Sequence, residues 1–158
     1  MILFHSTNGQ APPVPLREAL LAGQAPDRGL YLPAELPRLA PAELAAFTRL
    51  TYPEIAARVL APFTAGLLDR DGLVALCAEA YDFDVPLEPV AGRARVFVLR
   101  LDRGPTASFK DFAARFMARL LGRIVHETGR PLTILTATSG DTGSAVAHAF
   151  HGVAGIRV

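Results

Sequence analysis

The sequence predicts an α/β protein in two parts: a mixed α+β unit over residues 1–90, then the start of a parallel βαβαβ domain over residues 91–158. Three observations carry this expectation. Of the 158 residues, 51% are hydrophobic and 20% are charged, a balance that can build a core and is too apolar for a disordered chain. Residues 82–94, with Pro86, Pro89 and Gly92, interrupt the pattern as a linker or boundary loop. After them strand and helix signals alternate, which is the order of a parallel sheet with right-handed crossovers.

The first part reads as short elements. Ile2-Leu3-Phe4 suits a brief strand, and residues 15–21 a helix with proline in its first turn and Gly23 just past its end. Residues 29–33 form an extended segment closed by proline, and residues 41–50 a second helix. Thr51-Tyr52-Pro53-Glu54 carries a cap, a proline in the first turn and a glutamate three after the cap, so a helix starts there. Residues 69–81 give a further helix, with Leu73, Leu76 and Ala80 at helical spacing.

In the second part, the run Val96-Phe97-Val98-Leu99 reads as a buried strand. Residues 108–125 form an amphipathic helix whose stripe is Phe109, Phe112, Phe116, Leu120 and Ile124, widened by Met117, Leu121 and Val125. Gly129-Arg130-Pro131 ends it. A second buried strand follows over 132–137, a helix over 141–150, and a third strand begins at Gly155. Three strands, the last cut short at Val158, predict an incomplete domain with its remainder C-terminal to this chain.

Composition also excludes several classes of function. The formal charge is +1, with acidic and basic residues interspersed and no basic tract, so nucleic acid and membrane surfaces are not expected partners. No signal peptide is evident at the start and no window approaches the ~20 apolar residues of a membrane span, so a soluble cytoplasmic protein is expected. Cys77 is the single cysteine, set among Leu73, Val74, Leu76 and Ala80, and reads as a small buried thiol. His148 and His151 stand three apart on a helix with no third ligand, so no metal site is predicted.

Chemistry concentrates in two loops, each between a strand end and a helix start, where α/β folds place ligands. The first is 104–111, Gly-Pro-Thr-Ala-Ser-Phe-Lys-Asp. Of the 16 basic residues, 15 are arginine and only Lys110 is lysine. A lysine amine can lose its proton and form a Schiff base, which a guanidinium cannot. Ser108 and Asp111 are spaced as a capping-box-like pair, which puts Lys110 in the first helical turn. The positive end of the helix is a poor place for a cation and favours the neutral amine. The spacing equally allows Lys110 to point into water with Asp111 balancing its charge. The second loop, 137–144, is Ala-Thr-Ser-Gly-Asp-Thr-Gly-Ser. Its glycines, hydroxyls and helix-start amides suit a carboxylate or phosphate, although alone it is only a capped turn.

Together the loops resemble the threonine synthase family. The family's segment His-Gly-Pro-Thr-Leu-Ala-Phe-Lys-Asp-Phe is matched by Arg103-Gly104-Pro105-Thr106-Ala107-Ser108-Phe109-Lys110-Asp111-Phe112. The run 132–150 is similar to the family throughout. Glu18-Ala19-Leu20-Leu21-Ala22-Gly23 followed by residues 25–33 looks like its N-terminal signature. The resemblance implies the fold of the tryptophan-synthase-β group of pyridoxal 5'-phosphate (PLP) enzymes, preceded by a threonine-synthase-type N-terminal domain. It implies conversion of O-phospho-L-homoserine and water to L-threonine and phosphate. Lys110 is then the catalytic residue, holding PLP as a Schiff base and moving protons at the substrate α and β carbons. Phe109 and Asp141 border the cofactor, and Thr138, Ser139, Gly140 and Thr142 hold the substrate. Arg103 stands where the family has histidine, Asp102 where it has an aromatic, and Ala107-Ser108 where it has Leu-Ala. The family's glycine-rich phosphate loop and the partner of the pyridine nitrogen fall beyond Val158. Three outcomes follow: a threonine synthase segment inactive by itself, a non-catalytic remnant or interaction module, or a related PLP phospholyase releasing a keto acid and ammonia.

Overall fold

The computed structural model describes all residues, 1–158, as two compact units, Met1–Cys77 and Ala78–Val158. In the first unit β1 (Leu3–Ser6) lies between β2 (Val14–Pro15) and β3 (Tyr31–Pro33), antiparallel to both, with Phe4 opposite Val14 and Pro33. Ile2, Phe4 and Ser6 point inward and Leu3 and His5 outward, the alternation that a one-sided sheet requires. Pro15 and Pro33 sit on the two edge strands, where no ladder donor is lost. Helix α1 (Leu16–Ala22) ends as expected at Gly23, whose φ of 68° lets its N–H turn back to the Ala19 carbonyl.

The loop after β1 is fastened by Asp27. Its carboxylate accepts from Ser6 Oγ at 2.5 Å and from the N–H groups of Gln10, Ala11 and Gly29, each at 2.9 to 3.0 Å. A Cβ on Gly29 would run into the Ser6 hydroxyl, so the Asp27-Arg28-Gly29 turn and the strand close on each other. These donors favour the charged form, the Ser6 hydroxyl most, and hold the Asp27 carboxyl down to about 2 from the usual 3.8. A carboxyl held lower in the folded than in the unfolded chain stabilises the fold above the unfolded value and ceases to do so as pH falls through the folded one. An acid titration of stability is therefore expected to show a limb between about pH 4 and pH 2 that flattens in Asp27→Asn; an unchanged limb would show that Asp27 does not carry it.

Helix α2 (Pro41–Ala46) continues into a 3-10 turn, Phe47–Arg49, and Glu43 accepts from the Ala40 N–H at 2.8 Å. Helix α3 (Tyr52–Thr64) starts as the sequence predicts: the Thr51 N–H and hydroxyl both donate to Glu54, at 2.7 and 2.8 Å. These bonds lower the Glu54 carboxyl, the backbone one most. Asp69 accepts from the Gly72 N–H at 2.8 Å and opens α4 (Arg70–Ala80). Leu73, Leu76 and Cys77 are buried, and burial pushes the Cys77 thiol up to about 11, so it stays an inert thiol.

The second unit holds two small sheets and two packed helices. Residues predicted as a linker contain β4 (Leu87–Pro89), which pairs antiparallel with β5 (Phe97–Leu99), Glu88 opposite Val98. The expectation of a buried strand over 96–99 is corrected here. Phe97 is 55% and Leu99 53% exposed, because the ribbon has a single partner strand and neither face is covered. Helix α5 (Lys110–Thr128) ends at Gly129, in the left-handed conformation at φ 65°. Its interior face is Asp111, Ala114, Arg115, Ala118, Leu121 and Val125, with Leu120 and Ile124. The predicted stripe thus holds from Leu120 onward but not at its start, where Phe109 is exposed and Arg115 is buried.

Helix α6 (Asp141–Phe150) packs against α5 and buries Ala145, Ala149 and Phe150. Gly122 on α5 allows close approach, since a Cβ there would meet Val153 at 2.9 Å. The parallel pair is β6 (Leu132–Thr133) with β7 (Ile156–Arg157), Leu132 opposite Ile156, joined across α6 as a crossover. The strand predicted over 132–137 is only two residues long, and Leu135 is 91% exposed, since no third strand of the chain flanks the pair. No helix is long and apolar enough to cross a membrane.

Candidate functional site: two loops at helix starts

The loop Gly104–Phe109 leads directly into α5, so Lys110 is the first residue of the helix, as its spacing predicts. The loop is tight. Ala107 takes a positive φ of 54° and donates to the Gly104 carbonyl at 3.0 Å, and the Lys110 N–H donates to Ser108 Oγ at 3.3 Å. The expected pairing of Ser108 with Asp111 is replaced by a different clasp. Asp111 is fully buried and reaches back to Thr106: Oδ2 accepts from the Thr106 N–H at 2.9 Å and Oδ1 from its hydroxyl at 2.7 Å. Gly104 leaves the Asp111 carboxylate room, since any Cβ there would overlap it.

Each carboxylate oxygen of Asp111 accepts from Thr106, and no ion pair joins Asp111 to Lys110. The Lys110 side chain is half-buried and its Nζ stands 4.5 Å from the centroid of the Phe109 ring, a cation–π contact, with no carboxylate paired to it. Phe109 itself is 61% exposed.

The second loop opens α6. Gly140, the N-cap, has φ 156° and ψ −85°, a backbone that suits glycine, and Thr138 Oγ1 accepts from the N–H groups of Gly140 and Gly143 at 3.2 and 3.3 Å. A Cβ on Gly143 would collide with the Thr138 methyl. Thr138 is thus partly occupied in shaping the loop. Ser139, Gly140, Asp141 and Thr142 are all exposed, and Ser144 Oγ donates to the Gly140 carbonyl at 3.2 Å. No hydrogen bond or ion pair links this loop to the first.

Arg103 is half-exposed and pairs with Glu88 at 3.4 Å. Arg100 sits between Glu88 at 3.0 Å and Asp102 at 2.7 Å, and its hydrogen bond holds the Asp102 carboxyl down at about 2. Sequence reasoning missed two features: the Thr106–Asp111 clasp and the buried Arg115, which donates to Ala80 O at 2.6 Å and Asp82 at 2.5 Å. A five-residue Thr–Asp separation across Ala107-Ser108-Phe109-Lys110 has no periodic signature, and arginine on a helix reads as solvated. A groove of about 880 Å3 in the first unit, lined by Glu54, Ala57, Arg58, Asp69 and Leu73 among others, contains none of the expected site residues.

Strands alternating with helices, with a lone lysine at the start of α5 and a glycine–hydroxyl loop ahead of α6, define a chain of the α/β class. Known proteins narrow this. The model of the threonine synthase N terminus matches residues 3–81. Threonine synthase of Pseudomonas aeruginosa is 43% identical over 147 residues, and that of Escherichia coli 37% over 145, covering 90% and 92% of this chain. A crystal structure of PLP-bound threonine synthase from Brucella melitensis superposes with a TM-score of 0.90 at 40% identity over 99% of the chain, and the yeast enzyme with 0.88 at 27%. The chain belongs to the threonine synthase family. It spans about a third of the length of these relatives: 31% and 33% of the two sequences and 34% of each structure.

Proposed function

We propose that this chain is the N-terminal segment of a threonine synthase that binds PLP through Lys110 and, completed by the rest of such an enzyme, converts O-phospho-L-homoserine and water to L-threonine and phosphate. The observation that carries the reading is Lys110, the only lysine, half-buried in the first turn of α5 beside an exposed aromatic ring and free of any carboxylate. An aldehyde cofactor needs such an amine, reachable and not held as an ion pair. The B. melitensis relative, solved with PLP bound, supports the same cofactor.

When bound, PLP supplies an electron sink for charge developing at the substrate α and β carbons. Lys110 holds the cofactor and, once released from it, takes and returns protons at those two carbons. Phe109 offers its ring face to a planar ligand. At the start of α6, Ser139, Gly140 and Thr142 present hydroxyls and amides to the substrate carboxylate, Thr138 shapes the turn, and Asp141 borders the cofactor. In this reading residues 1–90 are the family's N-terminal domain and 91–158 the beginning of its PLP domain, in a soluble cytoplasmic enzyme.

The test is a chimera joining this chain to the part of the P. aeruginosa relative that it does not match, assayed with PLP and O-phospho-L-homoserine. Threonine and phosphate in equal amounts are expected, with loss of turnover in Lys110→Ala. A keto acid and ammonia would instead identify a phospholyase. Failure to form either product in a folded, soluble chimera would favour a non-catalytic remnant.

A further inference from the structure

We propose that Asp111 and Thr106 are positioning residues for Lys110: the clasp between them keeps the neighbouring carboxylate away from the lysine amine and fixes the turn that presents it. The proposal rests on the reading of Lys110 as the cofactor-binding amine and goes beyond it in naming what holds that amine ready. Asp111 follows Lys110 directly and is the nearest carboxylate to it in sequence. In an ordinary exposed first turn, it would be free to pair with the Lys110 side chain. Here it has no exposure at all, and each of its oxygens takes one donor from Thr106, at 2.9 Å from the N–H and 2.7 Å from the hydroxyl.

The clasp also does mechanical work on the loop. It closes a ring from Thr106 to Asp111 that contains Ala107 at φ 54°, a conformation costly for alanine. Inside that ring Ser108 is buried and its Oγ accepts from the Lys110 N–H at 3.3 Å. Gly104 is needed for the same arrangement, because any side chain there would displace the carboxylate. The first turn of α5 therefore begins in one register, with Phe109 facing outward and the Lys110 amine 4.5 Å above its ring. The helix start is also a favourable place for a carboxylate with respect to the helix dipole.

Because Lys110 is the only lysine, amine chemistry reports on it alone, apart from the amino group of Met1, which peptide mapping separates. Two probes are used on the chain and on Thr106→Val, Thr106→Ser and Asp111→Asn: formaldehyde with a mild reductant, which reads the bare amine, and PLP with borohydride, which reads its reaction with the cofactor. Thr106→Val, which keeps the shape and deletes the hydroxyl, is expected to slow formaldehyde labelling of Lys110 roughly tenfold relative to Met1, the worth of one charge-assisted hydrogen bond. Thr106→Ser is expected to label as the parent does. Asp111→Asn removes the charge that would capture Lys110 and loosens the turn, so its loss is expected to be smaller than that of Thr106→Val.

Equal formaldehyde labelling in the parent, Thr106→Val and Thr106→Ser would overturn the clasp. So would a loss in Thr106→Val that Thr106→Ser does not restore. If Asp111→Asn fails to fold, the threonine pair still decides. A parent whose Lys110 reacts with PLP no faster than Met1, while the formaldehyde pattern holds, would refute the cofactor reading and leave the clasp standing.

Discussion

Arg115→Ala is expected to lower the unfolding free energy by about 3 kcal/mol, more than a hundredfold in the folding equilibrium. Arg115 lies in the interior of the second unit at 5% exposure. Its Nε donates to the Ala80 carbonyl at 2.6 Å, and Nη2 donates to the Glu79 carbonyl at 3.2 Å and to Asp82 at 2.5 Å. The guanidinium also stands 5.7 Å from the Phe83 ring, which packs edge-on against Phe112 with ring centroids 5.2 Å apart. One planar fork thus caps the C-terminal carbonyls of α4, where a cation is favoured, and ties them to α5. Its removal leaves the buried Ala80 carbonyl without its donor, and most of the energy lost is at that contact.

The expected pattern across variants is specific. Arg115→Lys restores part of the loss, since an ammonium on a flexible stem cannot meet three acceptors in one plane. Asp82→Asn costs less than about 1 kcal/mol, because the Asp82 side chain is 63% exposed and water replaces most of what it gives. Urea midpoints of the three variants check this. An Arg115→Ala protein as stable as the parent, or one matched by Asp82→Asn, would show that the buried Ala80 carbonyl contact is not what holds this corner.

Arg115 also shows where reading the sequence stops. Helices were legible because their signals are local: Thr51 with Glu54, Gly23 after α1, Gly129 after α5 and the apolar spacing of α4 each lie within a turn or two of the end they specify. The two loops were legible for the same reason, as short strings of glycine, hydroxyl and charge ahead of a helix. Sheet partners are not local. Val96-Phe97-Val98-Leu99 has the composition of a buried strand, yet its only neighbour is β4, from within the stretch that Pro86 and Pro89 mark as a linker. Leu135 likewise belongs to an apolar run that would suit a fully flanked strand, and the chain supplies only β7 beside it. Polar contacts at longer range were the least visible. The Arg115 acceptors are 33 to 36 residues away, and the Thr106–Asp111 clasp depends on a turn that no periodicity encodes.

The second large effect concerns Lys110. The proposed role of Lys110 comes down to one atom, its Nζ, which stands 4.5 Å from the centroid of the Phe109 ring. Reductive trapping of PLP on the purified chain, followed by peptide mapping, tests that role most directly. The expected result is a pyridoxyl mass on the peptide containing Lys110, well in excess of that on the Met1 amine, and its complete loss in Lys110→Ala with the fold retained. Labelling confined to Met1, or unchanged total labelling in Lys110→Ala, would contradict the assignment of Lys110 as a cofactor-binding residue in this chain.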